Sequence, residues 1–225
     1  MVRFFEHIDK IIYINLDDRE DRKKEIMEEF KRLEIPEDKI IRFSAIRHHE
    51  GAIGCSKSHI EVLKIAVENN WKNYMVLEDD FNFINDTEFI DKVVDHFFEN
   101  FPGNSWDVLN FGRGFHQEFA DTHVKYIQKV LDVSTTSAFI VNQHFYPTLL
   151  TNFIDGFEQL NMDPKNHPTY CIDRYWKKIM PESNWYITHP SIGYQRTGLS
   201  SIGGYVVDYI PFDKTLDFGT IPFTL

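Results

Sequence analysis

Three consecutive carboxylates, Glu78-Asp79-Asp80, follow directly on the apolar run Tyr74-Met75-Val76-Leu77. Those four residues suit a buried strand, and in an open α/β sheet ligands gather just beyond the carboxyl ends of strands. Three acids in a row repel one another, and each needs water or a cation. Hard divalent cations such as Mg²⁺ or Mn²⁺ take oxygen ligands, often one or two carboxylates together with the phosphates of a substrate. The cluster points to a metal site that holds a phosphorylated ligand. A solvated acidic loop after an edge strand is the alternative that these three residues alone leave open.

The elements that must position the cluster alternate along the first half of the chain. Lys10 to Leu16 is a β-branched run ended by Asp17-Asp18, either of which can cap a helix. The helix predicted next carries Ile26, Phe30 and Leu33 on one face and is closed by Pro36. Ile40 to Ile46 reads as a second strand, and a helix starting near Gly54 buries Ile60, Leu63 and Val67. After the acids, Ile90, Val93, Val94, Phe97 and Phe98 form the stripe of a third helix, and Trp106 to Phe111 forms a further strand. This order implies an α/β fold with right-handed crossovers and a largely parallel, Rossmann-like sheet. The pattern then loosens. Val124 to Leu131 and Ser137 to Val141 suit strands, Gln143 to Phe157 a helix, and Cys171 to Met180 a short helix. Asn161 to Pro168 reads as a loop, and the last 40 residues read as mostly irregular.

With 225 residues the chain is long enough for one domain with a full core. We expect a single domain over residues 1–225, with a nucleotide-binding half over about 1–115 and an irregular acceptor half over about 116–225. A net charge of −11 argues against a nucleic-acid binder, which shows a basic face, and against docking on anionic lipid. Cys55 and Cys171 are the only cysteines and lack metal-ligand spacing, which suits two free thiols in a reducing compartment. No apolar run resembles a signal peptide or reaches membrane-spanning length. The expectation is a cytoplasmic protein without stable membrane insertion; a homo-oligomer is compatible with it.

Read together, several segments resemble glycosyltransferase family 25, the lipopolysaccharide-biosynthesis and collagen-galactosyltransferase group. Ile14 to Arg22 resembles the family's opening strand and turn, and Phe43-Ser44-Ala45-Ile46 its second strand. Gly54-Cys55-Ser56-Lys57-Ser58-His59 is similar to its glycine followed by a Ser-His pair, and Leu77-Glu78-Asp79-Asp80 to its acidic signature. Thr135 to Ile140 resembles its small-residue strand, Ile172-Asp173 its isolated aspartate, and His189-Pro190, Gln195 and Ser200-Ser201-Ile202 its C-terminal block. The resemblance spans nearly the whole chain in order. It implies a GT-A fold and inverting, metal-dependent transfer of a hexose, galactose or glucose, from a UDP-sugar to a hydroxyl. The acceptor would be a glycan or a hydroxylysine-type protein side chain. A glycosyltransferase-like module that binds nucleotide or protein without turnover is the alternative.

The resemblance also suggests roles. Asp80 is expected to ligate Mn²⁺ or Mg²⁺, with His189 as a second ligand; the other reading of His189 is a hydrogen-bonding loop residue. Glu78 and Asp79 would face the donor or a metal-bound water. Asp173 would be the general base that a single displacement requires within hydrogen-bond reach of the acceptor hydroxyl; otherwise it is a helix cap or an ion-pair partner of Arg174 or Lys177. Asn15, Leu16 and Arg22 would contact the donor nucleotide, although Arg22 could pair only with Glu25 or Glu29 on its helix. Ser58 and His59, placed at a helix start, would serve the nucleotide or act as a cap and a core histidine. Trp176, Gln195 and Ser200 are acceptor-side candidates. Many relatives carry Asp where Ser201 stands; if that acid contacts the acceptor in them, the resemblance implies a different acceptor here.

Overall fold

A computed structural model describes residues 2–114, 117–200 and 202–224. In chain order the elements are β1 (Lys10–Asn15), α1 (Glu20–Arg32), β2 (Ile40–Ser44), α2 (Gly51–Glu68), β3 (Asn73–Glu78), β4 (Phe81–Phe83) and α3 (Thr87–Asn100). They continue with β5 (Val108–Asn110), β6 (Gln117–Asp121), β7 (Ile127–Val133), β8 (Ala138–Asn142) and α4 (Tyr146–Met162). Short helices α5 (His167–Tyr170) and α6 (Ile172–Tyr175) lead to β9 (Trp185–Thr188), β10 (Gly193–Gln195), β11 (Gly198–Leu199) and β12 (Val206–Val207).

Eight strands form one sheet in the order β2-β1-β3-β8-β5-β9-β7-β6. β1 lies parallel to both β2 and β3, and β5 is parallel to β9. β8 enters antiparallel between β3 and β5, and β7 and β6 extend the sheet antiparallel beyond β9. The α/β class holds, but the sheet is mixed rather than mostly parallel. Alternation of strands and helices is a local signal, whereas the slot that β8 takes depends on pairing with strands far away in sequence. Two strands of the eight-stranded sheet were not expected from the pattern, Gln117–Asp121, exposed or half-exposed throughout, and Trp185–Thr188, at the start of the segment read as irregular; the short strands β4, β10, β11 and β12 were not expected either. Part of the expected 161–168 loop is helical, since α5 begins at His167.

Strand side chains alternate between the two faces of a sheet, and this alternation builds two cores. Ile11 and Tyr13 of β1, Met75 and Leu77 of β3, and Ile140 of β8 face a layer with Ile26 and Phe30 of α1 and Val93 and Phe97 of α3. Ile12 and Ile14, Tyr74 and Val76, and Phe139 and Val141 face the opposite layer with Leu63 and Ala66 of α2 and Leu149 and Phe153 of α4. Each fully buried side chain of this size contributes about 1.5–3 kcal/mol. Continuous apolar runs in β1, β3 and β8 are what a sheet covered on both faces requires. Helix α3 starts at a side-chain cap, with the Asp86 carboxylate accepting from Phe89 N at 3.0 Å.

Helix α2 begins at Gly51, one turn earlier than the sequence suggested. Gly54 lies inside that first stretch because the 46–48 segment presses against it: a Cβ there would meet the Ile46 carbonyl oxygen at 2.4 Å. Gly54→Ala gains helix propensity but clashes with backbone, and the clash prevails. We expect a loss of ~1–3 kcal/mol, read as a lower urea midpoint at unchanged m-value; an unchanged or higher midpoint refutes the tight crossing.

Candidate active site

A cleft of about 740 Å³ opens over the carboxyl ends of β1 and β3. Strand parity decides what each acid meets there. Glu78 continues the Tyr74–Val76 face, toward α2, whereas Asn15 continues the Ile11–Tyr13 face, toward α1. Glu78 accordingly accepts a hydrogen bond from Thr136 Oγ1 at 2.7 Å, and its Oε1 lies 3.5 Å from Nε2 of His59 on α2. Burial pushes the Glu78 carboxyl up, yet His59 and Thr136 outweigh this and hold it below the usual value.

Asp79 and Asp80 turn to α1. Arg22 Nη1 lies 3.0 Å from Asp79 Oδ1 and 2.9 Å from Asp80 Oδ2, while its Nη2 donates to the Leu199 carbonyl at 2.8 Å. Asn15 Nδ2 donates to Asp79 at 2.7 Å and is itself oriented by Arg42 at 2.9 Å. Burial raises the Asp79 carboxyl against the pull of Asn15 and Arg22. Asp80 is pushed up to about 7, first by burial and then by the adjacent Glu78 charge, despite Arg22. Its Oδ1 is buried with no hydrogen-bond partner among the described residues.

Asp173, at the start of α6, lines the same cleft, together with Arg174 and Tyr209. Burial raises its carboxyl, and the Glu78 charge adds to this against Arg174 and Lys177. The 134–136 segment that leads into β8 forms part of the wall. Thr135 there has φ of 122°, a left-handed backbone that a β-branched residue adopts only under strain of ~1–3 kcal/mol.

The structure thus brings Leu16, Arg22, Ser58, His59, Glu78, Asp79, Asp80, Asp173, Gln195 and Ser200 to one cleft. Asn15 supports it from behind, 1% exposed. Arg22 pairs with the acids rather than with Glu25 or Glu29, which bind Arg196 and Arg32 instead. Ser58 and His59 are not at a helix start: Ser58 Oγ ties the Ile46 amide to the Gly54 carbonyl, two turns into α2. Ser200 Oγ accepts from the amides of Ile202 and Gly203 and shapes the turn between β11 and β12. Ser201 lies outside the described residues.

Two expectations are corrected. Trp176 is core, 0% exposed, its indole donating to Val133 O at 3.0 Å; an apolar ring at helical spacing from Ile172 packed inward. His189 is not brought to Asp80. It lines a separate cavity of about 250 Å³ with Asp121 and Tyr126. β9, which delivers it, stands three strands from β3, roughly 14 Å at the ~4.8 Å interstrand spacing. Among residues not singled out by the sequence, Thr136, Arg196 and Tyr209 also border the acids. Tyr209, raised to about 12 by burial and then by Glu78, Asp173 and Asp80, sits in the segment read from sequence only as irregular.

Two carboxylates on one guanidinium, a third beside them, and one carboxylate oxygen buried with no hydrogen bond from the described residues fit a divalent cation held by oxygen ligands. Removing Arg22 leaves two buried carboxylates unpaired. Arg22→Ala is expected to cost ~3–5 kcal/mol in denaturant unfolding, with a smaller loss in Arg22→Ala/Asp80→Asn; equal stability to wild type would reject this pairing.

Similarity to known proteins agrees with the geometry. A glycosyltransferase involved in the glycosylation of the major capsid of PBCV-1 shares the fold with a TM-score of 0.53 and 11% identity, over 85% of this chain and 93% of that one. Protein A197 from STIV aligns at TM-score 0.46 and 12% identity over 97% of this chain and 99% of its own. No curated protein matches the chain in sequence. The likeness to the PBCV-1 glycosyltransferase is one of fold, a mixed α/β sheet covered by helices. The family model for glycosyltransferase family 25 (LPS biosynthesis protein) matches residues 49–153, the segment with Gly54–His59, Glu78–Asp80 and Thr135–Ile140. Over residues 49–153 the chain is matched to glycosyltransferase family 25, and over most of its length it shares the fold of a glycosyltransferase.

Proposed function

We propose that this protein transfers a hexose, galactose or glucose, from a UDP-sugar to a hydroxyl group with inversion at the anomeric carbon. The observation that carries the proposal is that the three acids ending β3 and the isolated Asp173 line one cleft. Asp80 is the direct cation ligand, because its buried Oδ1 has no hydrogen-bond partner among the described residues; Asp79 and Glu78 complete the negative site. A bound Mn²⁺ or Mg²⁺ would supply Lewis-acid stabilisation of the leaving diphosphate.

The protein's own residues do the rest. Leu16 and the 46–54 segment form the donor wall, and the first turn of the 18-residue helix α2 faces the cleft with the positive end of its dipole, suited to an anionic diphosphate. Asp173 takes the proton of the acceptor hydroxyl as that oxygen bonds to C1 and the C1–O bond to the diphosphate breaks. The products are the glycoside and UDP, with the proton on Asp173. A carboxyl raised by burial is a stronger base than an exposed one. Gln195, Ser200 and Tyr209 border the acceptor side, where a glycan or a hydroxylysine-type side chain would bind.

With UDP-galactose and UDP-glucose, transfer or slow donor hydrolysis is expected with Mn²⁺ and abolished by EDTA. Asp80→Asn should lose the metal dependence. Asp173→Asn should lower kcat by ~10²–10⁴-fold while donor binding persists. Because the base acts deprotonated, kcat/KM should fall on acidification through a pKa above the ordinary ~3.9 of Asp. Donor binding without turnover under every condition would replace the transferase by a binding module.

A further inference from the structure

Helix α2 carries Cys55 and His59 four residues apart, hence on one face, and that face meets Glu78 at the end of β3. One ligand-type atom from each of the three lies within 4.8 Å of the others. The His59 Nε2 to Glu78 Oε1 separation is 3.5 Å. Around a tetrahedral zinc ion with bonds of ~2.0–2.3 Å, ligand atoms stand roughly 3.3–3.6 Å apart, so the His–Glu edge already has the required length. His59 is 2% exposed, and its Nε2 has no hydrogen-bond partner among the described residues. A buried imidazole nitrogen 3.5 Å from a carboxylate oxygen, beyond ordinary hydrogen-bond length, and close to a thiol is what an ion would satisfy. Cys55 is a free thiol.

We propose that Cys55, His59 and Glu78 form a second metal site, beside the one centred on Asp80, that takes a borderline-soft divalent cation of the zinc class. Donor chemistry separates the two. Thiolate and imidazole select zinc over magnesium or manganese, whereas an all-carboxylate site does the reverse. All three residues line the cleft, so the fourth coordination position faces its interior. The ion binds as the thiol proton leaves to solvent and a sulfur–metal bond forms. It ties α2 to the end of β3 and fixes the Glu78 carboxylate next to Asp80.

The test uses Co²⁺ and Zn²⁺ alone on the full chain, in a Cys171→Ser background so that Cys55 is the only thiol. Co²⁺ is expected to bind with a thiolate-to-metal charge-transfer band that Zn²⁺ displaces, and Zn²⁺ should protect Cys55 from alkylation. His59→Ala should weaken Zn²⁺ binding by more than ~100-fold, the upper end of what losing an outer-shell partner costs. Asp80→Asn should keep both the band and the protection. Alkylation of Cys55 that Zn²⁺ leaves unchanged, with no thiolate band, overturns the site even if the His59 variant fails to fold. Ion binding that persists in His59→Ala but vanishes in Asp80→Asn overturns it too, by assigning the ion to the acids.

Discussion

Burying negative charge beyond the end of β3 is the constraint on which the rest of the site depends. Asp79 and Asp80 are 7% and 8% exposed, so neither can be left to water. One guanidinium, that of Arg22, answers both, and it is itself 9% exposed. Arg22 also reaches the Leu199 carbonyl, so the two-stranded β11–β12 ribbon over the cleft is fastened to the acids it covers. The remaining deficit shows in Asp80, whose carboxyl is pushed up to about 7 by burial and by Glu78. A buried cluster held at such cost is kept where function needs the charge.

Sheet geometry distributes that charge. Alternation along β3 sends Glu78 to the α2 layer and leaves Asp79 and Asp80 to α1, so three adjacent acids meet different partners. Insertion of β8 antiparallel to β3 then brings its N-terminal end, not its C-terminal end, to the site. Glu78 N donates to Ser137 O at 2.8 Å, and Thr136 hydrogen-bonds the Glu78 carboxylate. In a parallel arrangement the 134–137 segment would lie at the far edge. The strained backbone at Thr135 falls on this segment, where surrounding contacts fix an otherwise unfavourable conformation.

Much of this was legible in the sequence, and the reasons differ by element. β1, α1, α2, β3 and α3 announce themselves because their apolar periodicity is strong. The strand Trp185–Thr188 did not, since four residues next to Ser, Asn and Pro carry too little periodicity to stand out. The acids were visible as a cost without an evident return, and Asp173 as an isolated acid in a segment that lies beyond the 49–153 family match. Trp176 and His189 misled because ring type and position say nothing of direction: one is packed between sheet and α4, the other delivered by a strand three positions away.

The amino-acid sequence by itself determined the α/β class, the placement of three carboxylates after a buried strand and the match to a glycosyltransferase family, because each is written in local pattern. Tertiary structure decided the mixed sheet, the Arg22 bridge, the separation of His189 from Asp80, and the meeting of Cys55, His59 and Glu78. Those outcomes depend on strand order, register and the face on which a side chain emerges, and long-range pairing sets all three.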